Sequence, residues 1–440
     1  GAGNIGGGGF AVIRTATGEH AALDFREVAP GKAGRDMYLD PDGDVIPRLS
    51  LDGHLAVGVP GSVAGMVQLH DRYGHLPWNA LVQPAIELAR EGVTLTPLQA
   101  EKFNRYREKL IELNNSLPTI VRNDRPWQAG DRLVQKSLAA SLERIRDRGR
   151  DGFYRGETAR LIVREMDRGG GLISGEDLES YRAVWRKPVS GSYRGYRVIS
   201  MPPPSSGGVA LLQILYGLEA WPLGEWPVDG WKRAHIMTEV ERLVYADRAT
   251  YMGDPDRWTV PTLPLLRDFY LQSRFMDVSL DYRTPSVAIN AGPITAGEST
   301  ETTHFSIVDG QGNAASVTTT LNGSFGSKVM VEEGGFFLNN EMDDFSSKPG
   351  VPNQFGLVGG EANAIEPGKR MLSSMTPTIV EKEDEIFLVV GSPGGSTIIT
   401  TVAQVIVNLI DRNMPLADAV AAPRVHHQWL PDLIFHEPDA

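Results

Sequence analysis

Cysteine is absent from this 440-residue sequence, which excludes a disulfide framework, a thiol nucleophile and a thiolate metal site. No apolar run is long enough for a transmembrane helix. Basic residues are outnumbered by acidic ones, 43 against 55, and the formal net charge is −12. A nucleic-acid partner is therefore not expected, nor is a polybasic patch that binds membranes. The 48 glycines and 29 prolines are typical of a loop-rich globular protein.

The predicted secondary structure changes near residue 300, from mainly helices to mainly strands. Before this point, residues 10–14 and 21–26 have the alternation of a hairpin. Apolar residues at three- and four-residue spacing predict helices over residues 63–73, 80–90, 97–113, 137–147, 159–168 and, as the longest amphipathic candidate, 231–252. Residues 283–301 are rich in Pro, Gly, Thr and Ser, which predicts an exposed connector. The patterns that follow predict strands over 303–308, 314–320, 375–380 and 386–390, and a helix over 397–411.

The segment GAGNIG at residues 1–6 has the spacing of the dinucleotide fingerprint, and Asp24 lies near the expected position of a ribose ligand. That fingerprint follows a strand and opens a helix, whereas this segment runs into a predicted strand. A dinucleotide-dependent dehydrogenase is therefore disfavoured. The glycines instead predict a backbone that passes close to a bulky neighbour.

A second glycine-rich segment, SPGGS at residues 392–396, lies between a predicted strand and a predicted helix. The backbone N–H groups of Gly394 and Gly395 can converge there on an anion or on a developing oxyanion. A plain glycine-rich turn is the alternative interpretation.

Metal and glycosidase chemistry have weaker support. His426 and His427 are adjacent and would point to opposite faces of a strand, and His304 has no partner at metal-binding spacing. Structural roles are favoured for all three, and neither a metal nor another cofactor is expected. Asp343 and Asp344 are neighbours, which rarely face each other across a sugar as a glycosidase pair.

Thr302 stands where the connector becomes a strand. A threonine hydroxyl is a poor nucleophile unless a base takes its proton, and the threonine's own α-amino group is one such base. With a pKa of roughly 7.7–8.0, that amine suits proton transfer at neutral pH. It exists only if the peptide between Glu301 and Thr302 is broken. Ordinary β-propensity is the alternative explanation of Thr302 and Thr303.

A series of motifs in one order along the whole chain resembles the γ-glutamyltransferase family. TTHFS at 302–306, LNNEMDDF at 338–345, LSSMTP at 372–377 and GSPGGS at 391–396 resemble motifs of the family's small subunit. GGGGF at 6–10, DFRE at 24–27 and MPPPSSGG at 201–208 resemble motifs of its large subunit. The resemblance implies an α+β fold, the four-layer αββα sandwich of N-terminal nucleophile hydrolases.

The resemblance also implies how the chain is divided. Residues 1–301 would form a large-subunit segment and residues 302–440 a small-subunit segment, both contributing to one core. The front of the large subunit and the tail of the small one are expected to lie outside this sequence. Both subunits would come from one precursor.

The catalytic residues implied by the resemblance surround the junction. Glu301 and Thr302 flank the self-cleavage point, and Thr302 then attacks the γ-glutamyl carbonyl. Thr320 supports the activation of Thr302. Gly394 and Gly395 supply the oxyanion N–H groups.

The binding residues implied by the resemblance suit a free α-amino acid head group, which is a zwitterion. Arg26 holds the α-carboxylate with Ser373 and Ser374, and a guanidinium can meet a carboxylate in a planar fork. The α-ammonium group is received by Asn322, Glu341 and Asp344. If their segment is a strand, alternation leaves Glu341 or Asp343 facing elsewhere.

Residues 349–360 resemble the family's lid loop over the pocket. Phe355 stands where some relatives carry a tyrosine, and phenylalanine cannot make the hydroxyl hydrogen bond that would latch the lid to Asn322. We therefore expect a looser lid, held mainly by apolar contact. Glu341 stands where some relatives have glutamine, which keeps an ammonium acceptor and adds negative charge.

The activity implied by the resemblance is that of a γ-glutamyltransferase and glutathione hydrolase. Glutathione and other γ-glutamyl compounds would be its substrates, and water, an amino acid or a dipeptide would accept the γ-glutamyl group. Family members are usually periplasmic or secreted. Two alternatives stay open. A cephalosporin (β-lactam) acylase would share Thr302 and the glycine nest but remove a group without an ammonium, so Asp344 argues against it. An unprocessed relative would only bind γ-glutamyl compounds.

Overall fold

The computed structural model describes residues 5–289, 302–348, 350–351, 353–354, 357 and 359–438. Its helices are Ser62–Tyr73 (α1), Trp78–Glu91 (α2), Pro97–Glu112 (α3), Lys136–Arg148 (α4), Asp151–Tyr154 (α5), Gly156–Gly169 (α6), Gly175–Ser180 (α7), Gly207–Glu219 (α8), Trp231–Tyr251 (α9), Thr262–Leu265 (α10), Asp268–Phe275 (α11), Thr397–Ile410 (α12) and Leu416–Ala421 (α13). Its strands are Gly8–Arg14 (β1), His20–Asp24 (β2), Val93–Thr94 (β3), Arg132–Leu133 (β4), Val184–Arg186 (β5), Val189–Tyr193 (β6), Tyr196–Ser200 (β7), Thr303–Val308 (β8), Ala314–Thr320 (β9), Thr378–Lys382 (β10), Glu385–Val390 (β11), Val425–His426 (β12) and Phe435–His436 (β13).

Two antiparallel sheets form the centre of the molecule. The first has the strand order β5-β2-β1-β9-β8 and the second has the order β11-β10-β7-β6. Each sheet combines strands from both sides of residue 301, because β1 pairs with β9 and β7 pairs with β10. The sheets are stacked and linked by Ser316, whose Oγ donates to the carbonyl of Val390 (3.0 Å) and accepts from the N–H of Thr378 (2.9 Å).

Helices cover the outer faces of both sheets. α8 is apolar on nearly every side and is therefore buried, between the second sheet and the helices α9 and α12. On the other side, α1, α5 and α6 cover the first sheet, and Phe25, Val63 and Phe153 belong to one apolar cluster there. The layers are thus helix, sheet, sheet and helix. No helix in the described part of the chain is long and apolar enough to cross a membrane.

Most elements predicted from periodicity are found close to their predicted bounds. β8 and β9 match the predictions residue for residue, and α12 ends one residue early. The patterns did not predict β5, β6, β7 or α8. The amphipathic interpretation of α9 is wrong. This helix buries charged side chains as well as apolar ones, and they are Arg233, Glu239, Glu241, Arg242, Asp247 and Arg248.

The glycines that precede and open β1 allow a close approach of main chains. A Cβ on Gly6 would lie 2.1 Å from the carbonyl oxygen of Phe337, and one on Gly9 would lie 2.2 Å from that of Thr318. A methyl group does not fit at either position. The prediction of a closely packed backbone is confirmed here. Gly8 begins a strand, so this segment does not open the helix that a dinucleotide site requires.

We expect the stability of the fold to depend on the protonation of Glu241. Burial raises the pKa of this carboxyl to about 8, against the opposing charge of His426 and a hydrogen bond from the N–H of His427 (2.8 Å). Between about pH 4.5 and about pH 8, the folded protein keeps a proton that the unfolded chain has released. Stability should therefore fall as pH rises, by at most about 1.4 kcal/mol per pH unit from this group.

The comparison of wild type with Glu241→Gln isolates this contribution. Urea unfolding midpoints measured from about pH 5 to about pH 9 should decline less steeply in the variant, because glutamine has no proton to lose. Parallel pH profiles for the two proteins would contradict the assignment.

Candidate active site

The pairing of β8 with β9 places two threonines side by side. Thr303 is in register with Thr319, so Thr302 precedes the strand at the position opposite Thr320. Because side chains alternate along strands, Thr302 and Thr320 share a face, and both line the same pocket. The Oγ1 atom of Thr320 accepts the N–H of Asn322 at 2.7 Å, which fixes the turn that follows β9.

His304 continues the same face into the space between the sheets. Its Nδ1 lies 2.9 Å from the Oγ1 of Thr318, and its Nε2 lies 3.0 Å from the Oγ of Ser306. Burial lowers the pKa of His304 to about 4, so the ring is neutral at neutral pH. The imidazole therefore supports β8 and β9 through neutral hydrogen bonds, as a structural role requires.

The pocket is a small, partly open cavity. The predicted site residues that line it are Arg26, Thr302, Thr320, Asn322, Glu341, Asp344, Ser373, Ser374 and Gly395. Gly394 adjoins this wall without lining it. Glu301 and Phe355 lie outside the described residues. Segments far apart in sequence thus converge on one cavity with Thr302 in its wall.

Arg26 is a buried cation held by carboxylates. Its guanidinium lies 2.5 Å from Glu341 through Nη1 and donates from Nη2 to Asp344. The arginine side chain is 1% exposed, and that of Asp344 is 11% exposed. Burial alone would lower the pKa of Arg26, but the charges of Glu341 and Asp344 outweigh burial and raise it. One face of the pocket is therefore strongly charged and almost dry.

A short 3₁₀ turn explains why both acids reach Arg26. Residues Glu341–Asp344 form this turn, and side chains three residues apart in a 3₁₀ helix lie on the same side. The strand assumed for this segment is wrong, and of Glu341 and Asp343 it is Glu341 that joins Asp344 at Arg26. Asp343 does face elsewhere, where Ser50 Oγ donates to it at 2.6 Å and the N–H of Gln354 at 2.8 Å.

Glu27 is a third acid at this cluster that the sequence did not single out. Its Oε2 lies 3.7 Å from the Nη1 of Arg26, and neither oxygen has a hydrogen-bond partner within the described ranges. Burial raises the pKa of Glu27 to about 8, against the opposing charge of Arg26. The carboxyl is therefore mostly protonated at neutral pH.

Ser373 and Ser374 form another part of the pocket wall. The carbonyl of Ser373 accepts the N–H and the Oγ of Ser206, at 2.8 and 2.7 Å. Arg248 of α9 donates to the Oγ of Ser374 at 3.0 Å and to that of Ser206 at 2.9 Å. α9 thereby holds Ser374 directly and holds Ser373 through Ser206. Arg248 was missed because a lone arginine in a helical pattern ordinarily indicates a solvated face.

The loop before α12 has the backbone of an anion nest. Gly394 and Gly395 have φ values of 136° and 59°, which only glycine adopts readily. Thr397 closes the loop, since its Oγ1 donates to the carbonyl of Gly394 at 2.8 Å. Gly395 lines the pocket at the start of α12, where the helix dipole favours negative charge.

The described part of the loop 349–360 lies against the acidic turn. The N–H of Gln354 donates to Asp343 at 2.8 Å, and the Nδ2 of Asn353 lies 3.5 Å from Asp344. Leu357 and Asn353 also line the pocket. The expectation of a loose lid at Phe355 falls on a residue outside the described ranges and stays a prediction.

Two stacked antiparallel sheets between helical layers, with a threonine in the wall of the pocket, are the architecture of N-terminal nucleophile hydrolases. Residues 1–440 match the family described as Gamma-glutamyltranspeptidase. The chain belongs to that family of transferases and hydrolases.

Known proteins agree with this placement. The chain is 50% identical over 432 residues to the glutathione hydrolase proenzyme of Escherichia coli (strain K12). The matched region covers 98% of this chain and 74% of that protein. The crystal structure of Helicobacter pylori γ-glutamyltranspeptidase is similar with a TM-score of 0.64 and 47% identity, over 66% of this chain and 84% of that one. Cephalosporin acylase from Bacillus halodurans gives a TM-score of 0.79 and 26% identity, over 97% and 76% of the two chains.

Removal of the Arg26 charge should destabilise the protein, because the acids around it would be left buried without a counter-charge. We expect Arg26→Gln to lower the free energy of unfolding by about 3–5 kcal/mol, as measured by denaturant titration. Arg35→Gln is the control, since Arg35 pairs with Glu361 on the surface at 2.6 Å and should cost about 1 kcal/mol or less. Equal losses in the two variants would refute the account.

Proposed function

We propose that this chain is a γ-glutamyltransferase and glutathione hydrolase whose nucleophile is Thr302. The observation that carries the proposal is the pocket, which brings Thr302 and Gly395 into one cavity with the charged cluster of Arg26 and Asp344. Membership of the γ-glutamyltranspeptidase family supports the same reaction. So does the name glutathione hydrolase proenzyme of the relative from Escherichia coli.

The first step in this proposal is self-cleavage. The hydroxyl of Thr302 attacks the carbonyl of Glu301, the peptide C–N bond breaks, and an ester joins Glu301 to Thr302. Water then hydrolyses the ester, which leaves a carboxylate on Glu301 and a free α-amino group on Thr302. That amine is the base that the mature site needs.

The second step is attack on the substrate. The Oγ1 of Thr302 attacks the γ-carbonyl carbon while the α-amino group takes the hydroxyl proton. The negative oxygen that develops accepts N–H bonds at Gly394 and Gly395, and each such donor contributes about 2.7–4 kcal/mol in comparable sites. The amine leaves with the transferred proton, and a γ-glutamyl ester remains on Thr302. Water or an amino acid or dipeptide amine then takes the γ-glutamyl group and restores the hydroxyl.

The charged cluster determines which acyl group is accepted. The glutamyl α-carboxylate is assigned to Arg26, Ser373 and Ser374, and the α-ammonium to Asn322, Glu341 and Asp344. A substrate that has a carboxylate but lacks the ammonium would have to share the positive charge of Arg26 with Glu341 and Asp344 in a largely buried site, at a cost of several kcal/mol. The site should therefore reject simple acyl groups.

A cephalosporin acylase is the second candidate, because a solved acylase shares the fold over nearly the whole chain. Glutaryl groups carry a carboxylate but no ammonium. The presence of Glu341 and Asp344 together on one side of the turn favours the γ-glutamyl substrate instead. An unprocessed binding protein is a further alternative, which the presence or absence of cleavage at Glu301 decides.

The division into subunits and the location are part of the proposal. Large and small subunits would arise from one precursor by cleavage before Thr302, in keeping with the term proenzyme used for the relatives. A periplasmic or secreted location follows from the family resemblance.

We expect Thr302→Ala to abolish both cleavage and activity. The variant should remain a single chain on a denaturing gel, and release of glutamate from γ-glutamyl amides should fall by about 1000-fold or more, because the nucleophile is missing. Thr303→Ala is the matched control, since Thr303 is exposed and belongs to the other face of β8. Mass spectrometry of the wild type should find a new N-terminus at Thr302. A Thr302→Ala protein that still matures and still releases glutamate would end the proposal.

A pair of anilide substrates separates the two candidate activities. The value of kcat/KM for the γ-glutamyl anilide should exceed that for the glutaryl anilide by about 100-fold or more, because only the first supplies an ammonium to the acids. Asp344→Asn should shrink this ratio. Asp343→Asn should leave it unchanged, because Asp343 points away toward Ser50. A wild type that prefers the glutaryl anilide is an acylase.

A further inference from the structure

Arg248 is the second guanidinium in the wall of the pocket. It lies in α9, is 4% exposed, and lines the pocket with Ser373 and Ser374. Burial of an arginine is unfavourable unless its charge and donors are used. Arg248 lies next to the serines assigned to the substrate carboxylate, so its charge and donors can act on that carboxylate.

The hydrogen bonds of Arg248 determine the direction of one hydroxyl. An arginine side chain only donates, so the Oγ of Ser374 must accept at the 3.0 Å contact with Nη2. The hydroxyl hydrogen of Ser374 is then left to donate to another acceptor. Since Ser374 lines the pocket, an acceptor bound there, such as a carboxylate, can receive it.

The same guanidinium fixes the backbone beneath Ser374. Its Nε donates to the Oγ of Ser206 at 2.9 Å, and that hydroxyl donates to the carbonyl of Ser373 at 2.7 Å. The N–H of Ser206 donates to the same carbonyl at 2.8 Å. Both serines assigned to the substrate carboxylate are therefore held through one arginine.

Charge balance favours an anion on this side of the pocket. Arg26 is in direct contact with both Glu341 and Asp344, so its positive charge is already balanced by these acids. Arg248 supplies the second positive charge, and its charge also opposes the rise that burial imposes on the pKa of Asp344. A zwitterion needs a positive end as well as a negative one, and Arg248 lies at the serine wall that provides the positive end.

We propose that Arg248 is a positioning residue for substrate, which orients the Ser374 hydroxyl toward the α-carboxylate of the γ-glutamyl group and places a second positive charge behind it. This inference rests on the proposed function. It acts on substrate binding and on selectivity for the α-carboxylate, and it leaves the chemistry at Thr302 untouched.

The test compares two anilides, γ-glutamyl and 4-aminobutanoyl, which differ only in the α-carboxylate and carry the amine on the same carbon. For Arg248→Gln, KM for the γ-glutamyl anilide should rise by about 10- to 100-fold, the range of a lost hydrogen bond to a charged group, while kcat changes by less than about threefold. The value of kcat/KM for the 4-aminobutanoyl anilide should change by less than about threefold. Equal losses for both substrates would overturn the proposal.

A double-mutant cycle tests the route through Ser374. In a Ser374→Ala background, Arg248→Gln should raise KM much less than it does in the wild type, because the hydroxyl that it orients is gone. Additive effects would show that Arg248 acts elsewhere. Arg242→Gln is the control for folding, since Arg242 is a buried arginine of the same helix that pairs with Glu239 and Asp432, away from the pocket. It should lower stability and leave the ratio of the two anilides unchanged.

One further measurement distinguishes a failure to mature from a loss of binding. The fraction of cleaved chain on a denaturing gel shows whether each variant matures, and if Arg248→Gln does not, Arg248→Lys and Ser206→Ala take its place with the same criteria. A wild type that cleaves neither anilide would refute the proposed function. A wild type that cleaves the γ-glutamyl anilide, with an Arg248 variant of unchanged KM, would refute this inference alone.

Discussion

The arrangement of the whole pocket depends on one buried cation. Arg26 is almost completely buried, and the desolvation of a guanidinium costs several kcal/mol unless nearby carboxylates offset it. Glu341 and Asp344 do so from a 3₁₀ turn, which brings residues three apart to the same side. The position of that turn is thereby set by β2 and the segment after it. Movement of either partner would leave a charge buried alone, which opposes separation of the turn from Arg26.

The other half of the site depends on the backbone ladder. β8 pairs only with β9 among the described strands of its sheet, and β9 pairs in turn with β1. Thr302 is therefore tied through two strands to the segment that carries Arg26. Gly9 permits this pairing, because any side chain there would strike the carbonyl of Thr318. The close main-chain packing and the charged cluster meet at the same end of the sheet.

Sequence reasoning located the local features better than the spatial ones. The alternation around residues 303–320 was sufficient for β8 and β9, since strand periodicity is a local property. The fold and the site residues came from motifs of a resembling family, and the structure brings most of those residues to one pocket. Local patterns failed where tertiary packing decides. The buried charges of α9, the paired direction of Glu341 and Asp344, and the place of Arg248 all depend on neighbours distant in sequence.

Cleavage before Thr302 is compatible with a site of this kind because the hydrogen bonds between β8 and β9 remain after the peptide bond is broken. On the proposed mechanism, the liberated amine belongs to a residue whose strand keeps its pairing with β9. The nucleophile and its base are then one residue, so no second side chain has to be brought into register with Thr302. Effective molarities of well-oriented groups reach about 10⁵–10⁸ M, and the pairing of β8 supplies that orientation before any substrate arrives. On the same proposal, recognition belongs to the charged wall, where the two arginines and the acids would distinguish a zwitterion from other acyl groups.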